Sequence, residues 1–199
     1  MKQYKVIAAI EGQEVWAQVK KDLSDITYPF VYNVNIQQDG HTVFLAIEAD
    51  PAAGFESGFQ ATSLTAPMPI QFTVFTSRLV GIDSNKFRFA LHDEDFIDKV
   101  GKFFGMEDVR TGYKEFDKKL VVKTNDGERV KKIFEKEATR SLFEGLGGFD
   151  IHIAYYDDQE DKHCSLELSI NSFITDATEL EKIYCAFTDV LKGIEATKK

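Results

Sequence analysis

Proline is scarce in this chain: there are four in 199 residues, and none follows Pro69. That shortage, with the absence of any Gly/Ser-rich or low-complexity tract, excludes extended polyproline linkers and beads-on-a-string organisation. Cysteine is scarcer still. Cys164 and Cys185 make neither a disulfide framework nor a zinc-ligand spacing, so both are expected to be reduced and half-buried. No run approaches the roughly 18 consecutive apolar residues that a membrane-spanning helix needs. The apolar stretch in Met1 to Ile10 is too short for a signal-peptide core and has no small-residue cleavage site behind it, so a cytoplasmic protein is expected. Basic charge is also in deficit. Lys and Arg number 24 against 33 Asp and Glu, a net charge of -9. Binding nucleic acid or anionic membrane through bulk electrostatics requires a basic face that displaces counterions, and this composition argues against both. Lys131, Lys132 and Lys136 interleave with Glu128, Glu135 and Glu137 and read as a solvated helix face.

What the chain has in quantity is phenylalanine, 17 residues against the single Trp16. With 43% hydrophobic and 29% charged residues, it has the composition of a globular protein. A chain of this length buries roughly 70% of its unfolded surface. The aromatic excess therefore reads first as core, because aromatic side chains carry the largest apolar area per residue.

Periodicity sets the elements. Tyr4 to Ile10 reads as a buried strand, and Val15, Trp16, Val19 and Leu23 share one helical face, which predicts a helix over about 12–23. Phe30 to Ile36 alternates with the strand period, Asp39 and Gly40 supply a positive-φ turn, and His41 to Ala49 returns as the second arm of a hairpin. From Pro51 to Ile82 only Glu56 and Arg78 are charged, and two strands are expected there, about 55–64 and 70–79. A low-charge segment of this kind is usually central in a sheet; at an edge it would invite partner pairing.

Three units then run from a strand through an Asp-bearing turn into a helix: Phe87 to Phe104, Leu120 to Phe134 and Leu166 to Phe187. Asp126 and Asp176 are followed at equal offsets by Val130, Ile133 and Phe134, and by Leu180, Ile183 and Tyr184, while Asp93 leads into Phe96, Val100, Phe103 and Phe104. The pairs Asn125 with Glu128 and Asp176 with Glu179 have capping-box spacing, so these acids read as helix starts. Gly145, Gly147 and Gly148 suit a helix end and turn, and Phe149 to Tyr156 with His163 to Ile170 predicts a hairpin around the acidic loop Asp157 to Lys162.

Within residues 104–142 lie Phe104, Gly105 and Met106, then Asp108 and Val109, then Glu115, Phe116 and Asp117 ahead of the strand Leu120 to Val122. Asn125 and Asp126 then open a helix that runs to Arg140, Ser141 and Leu142. This order resembles an uncharacterised bacterial domain of unknown function in which a Phe-Asp pair precedes a strand, an acidic turn and a helix. The resemblance covers about a fifth of the chain and carries over no catalytic residue. In that setting Phe116 is expected to anchor a core edge and Asp117 to cap, or to pair with Lys118, Lys119 or the backbone.

Little else points to chemistry. Cys164 has His163 beside it and His152 on the expected neighbouring strand, but adjacent strand residues face opposite ways, so His163 is a poor activating base. Asp157, Asp158, Glu160 and Asp161 lack the order of a calcium loop. His41, His92, His152 and His163 show no zinc-binding spacing, and the glycine cluster leaves a helix instead of opening one, unlike a dinucleotide fingerprint. No cofactor is expected.

The expected fold is α+β: a mostly antiparallel sheet with helices on one face, in two similar lobes, or alternatively a helix-grip-like sheet curled around the C-terminal helix. Residues 1–199 are expected to form one unit, with 105–113 the candidate subdomain boundary. A non-enzymatic interaction or self-associating module is expected, using the low-charge segment 55–79 with Phe55, Phe59, Ile70, Phe72 and Phe75 as contact residues. The alternatives are a small apolar ligand or lipid held in an internal cavity and, third, a thiol enzyme based on Cys164.

Overall fold

The computed structural model describes residues 5–8, 12–50, 70–83, 86–93, 106–157 and 162–197. The strands are β1 (Lys5–Ala8), β2 (Phe30–Gln38), β3 (His41–Asp50), β4 (Ile70–Leu79), β5 (Phe89–Asp93), β6 (Glu107–Val109), β7 (Leu120–Thr124), β8 (Phe149–Asp157) and β9 (Lys162–Ile170). They form one sheet in the order β1-β2-β3-β4-β9-β8-β5-β7-β6. Every pairing is antiparallel except β1 with β2, which are parallel and joined through α1 (Gly12–Asp22). The remaining described helices are α2 (Phe116–Lys119), α3 (Gly127–Ile133), α4 (Glu137–Gly145) and α5 (Ala177–Ala196). This is the expected α+β arrangement, with both halves of the chain joined in a single sheet because the β8–β9 hairpin sits between β4 and β5. The candidate boundary near 105–113 holds β6, the strand at the sheet's far edge.

Strand parity decides which side chains meet the helices. Val34, Leu45, Phe75, Leu168, Ile151 and Leu91 lie in matched register across six strands, and all are fully buried. The helices cover that face. Phe187 of α5 packs on Phe75 with ring centroids 5.9 Å apart, and Trp16 of α1 meets Tyr184 of α5 edge-on at 5.4 Å. In the second half Phe134 is the hub, with Phe89, Phe116 and Phe143 at 5.8, 5.1 and 6.0 Å. Among the described residues the phenylalanines are thus mostly core, each buried ring contributing about 1.5–3 kcal/mol of transfer free energy.

Two of the three acidic turns start helices as expected. The Asp126 carboxylate accepts from the Arg129 N–H at 3.1 Å, and Asp176 accepts from Thr178 and Glu179 at 2.7 and 3.1 Å. Asn125 does not cap. Its side chain accepts from the Arg88 N–H at 2.8 Å and donates to the Lys86 carbonyl at 3.2 Å, tying the turn to the approach of β5. The Asp93 carboxylate accepts from the Gly148 N–H at 2.5 Å, and the helix expected after it lies outside the described residues. The single helix expected after Asp126 is broken at Phe134 into α3 and α4, because that ring is drawn fully into the core. Arg140 supplies the carbonyls at the break with donors, its Nη1 lying 2.6 Å from the oxygens of both Phe134 and Glu135. Arg129 does the same at the end of α5, donating to Ile194 O at 3.0 Å and to the Thr197 hydroxyl at 2.9 Å while its guanidinium lies over the Phe87 ring. Gly193 lets α5 approach α3 closely, since a Cβ there would stand 3.3 Å from Ile133.

The Phe116–Asp117 pair has the structural role expected of it. Phe116 is fully buried, and the Asp117 carboxylate accepts from Thr111 N–H at 2.9 Å, Thr111 Oγ1 at 2.7 Å and Gly112 N–H at 2.8 Å. Three donors on one carboxylate organise the loop between β6 and α2. Asp117→Ala should therefore lower stability by about 2–3 kcal/mol in urea unfolding, and Asp117→Asn by less, because the amide oxygen still accepts. Equal losses in the two variants would show that the carboxylate's hydrogen bonds are not what holds this loop.

Candidate functional site

The face of the sheet turned away from the helices divides into two chemically different halves. Across β1–β4 it is built from Val6, Val31, Asn33, Asn35, Phe44, Ala46, Phe72, Val74 and Thr76, by the same registers that send their neighbours into the core. Val6 and Val31 are each 56% exposed, while Phe44, Ala46, Phe72 and Val74 are half-buried. Asp50 and Arg78 stand at the two ends of this patch, Glu48 lies within it between Val31 and Phe72, and Glu167 of β9 is opposite Thr76. Across β8, β9 and β5 the same face carries ionisable groups.

Those ionisable groups include three of the chain's four histidines. His92 is buried directly opposite Asp150, and His152 stands opposite Glu167. The His152 Nδ1 lies 2.7 Å from Asp150 Oδ2, so the carboxylate orients the ring. Further along, Tyr156 stacks on His163 with centroids 5.0 Å apart and donates its hydroxyl to Glu167. The hydrogen bond to the Glu167 carboxylate, with partial burial second, holds the Tyr156 hydroxyl protonated, with its pKa pushed up to about 12. Sequence spacing missed this gathering because the residues lie on three strands and meet only through register. Among the described residues no group of three or more His, Cys, Asp or Glu could hold a metal ion.

Phe72 is placed on the exposed patch. Phe75, two residues on, is fully buried against Phe187, so it belongs to the core and no partner reaches it without opening the fold. Ile70 begins β4 opposite Asp50, and Phe55 and Phe59 lie outside the described residues. β4 itself is central, hydrogen-bonded to β3 and β9, which leaves its backbone no free edge. Only its alternate side chains can meet a partner. Between the sheet and the long helix, where an apolar cavity was expected, α5 inserts nine buried side chains.

Cys164 does not meet the conditions for a thiolate nucleophile. It points to the helix side, opposite Tyr155 in register, whereas His152 points away from the helices. The thiol is directed at the Ile82 carbonyl, 3.4 Å away, and burial, reinforced by Asp83, raises its pKa above the ordinary value. Cys185 is exposed on α5, yet partial burial and the carboxylates Glu181 and Asp189 raise its thiol too. Both shifts favour the unreactive protonated form near neutral pH. In the folded protein both cysteines should alkylate more slowly than a free thiol at pH 7–8, with the rate climbing only as pH passes the ordinary thiol range. Alkylation of Cys164 faster than free thiol at neutral pH would reverse this assignment.

A scan of protein-family models finds none that matches this chain, and a search of curated proteins finds no significant match.

Proposed function

We propose that the chain is a non-enzymatic self-associating module, in which the face of β1–β4 turned away from the described helices packs on the same face of a second copy. The observation that carries this reading is the set of apolar side chains Val6, Val31, Ala46, Phe72 and Val74, with Glu48 the one carboxylate among them, on a chain whose net charge is -9. Two such chains repel over most of their surface, and an apolar region is where they can approach with the fewest like charges juxtaposed. Apolar surface of this kind on the open face of a sheet is where association gains the most from water release. The ends of the patch also suit a two-fold axis. A two-fold axis brings Asp50 at one end of one copy near Arg78 at the other end of its mate. The raised thiol pKa values of both cysteines weigh against the thiol-enzyme alternative alone.

Sedimentation velocity tests this directly. The wild-type chain should move from its 22.6 kDa monomer toward twice that mass as concentration rises through the micromolar range. Phe72→Asp and Val74→Asp should remain monomeric with an unchanged urea midpoint, since both side chains stand outside the helix-covered core. A wild-type protein that stays monomeric to about 100 μM would overturn the proposal, because such an affinity is too weak for a specific interface.

A further inference from the structure

We draw no further inference here: the strongest candidate, the groove of about 480 Å³ between α4 and α5 that runs into a cleft lined by Gln38 and Glu181 at the β2–β3 turn, has its lysines and carboxylates in balance, and nothing in the structure shows what covers it.

Discussion

Phe187 resting on Phe75 at the middle of the sheet is the contact on which the rest of the structure depends. Phe75 belongs to the strand that joins the N-terminal hairpin to the C-terminal one, and Phe187 to the helix that touches α1, α3 and α4. Removing either ring would open a cavity under α5 and loosen its hold on α1, α3 and α4. Because α5 buries Leu180, Ile183, Phe187, Val190, Leu191 and Ile194 along one stripe, its outward side is free to carry Glu181, Cys185 and Asp189. The groove on that side is a consequence of the same helical period that fills the core.

The sheet separates its work by parity in the same way. Odd and even residues of β4 have opposite fates: Phe75 is locked inside, and Phe72 and Val74 stand on the face turned away from the described helices. Each strand contributes one such set, and register aligns them, so an apolar patch and a histidine-carboxylate group form side by side without any local sequence motif. His92 and Asp150 are 58 positions apart in sequence yet directly opposite in the sheet.

Local signals were legible where one residue type has one physical use. Asp39 and Gly40, with φ of 52° and 78°, make the turn their pairing predicted, and Asp126 and Asp176 sit at helix N-caps. The 70–79 strand was legible to the residue from its β-branched and aromatic content. The break between α3 and α4 was not, since nothing in Phe134, Glu135 and Lys136 stops a helix locally. It takes the pull of Phe89, Phe116 and Phe143 on Phe134, and the reach of Arg140 back to two carbonyls, to make the break. Site residues fared as the strand period dictates: Phe72 and Phe75 look alike in composition, and only the direction of the face distinguishes a contact residue from a core one.

By itself the sequence determined the α+β class, most strand and helix positions, the acidic caps and the aromatic character of the core, because each follows from period, propensity or capping within a few residues. Tertiary structure alone decided that β8 and β9 enter between β4 and β5, that Asp117 collects three donors from its preceding loop, and that His152 is oriented by Asp150 away from Cys164. It also brought Gln38 and Glu181 into one cleft. Those outcomes depend on which strands are neighbours and in what register. Long-range pairing sets both, through the total burial of the sheet and its helices, and no window of sequence contains that sum.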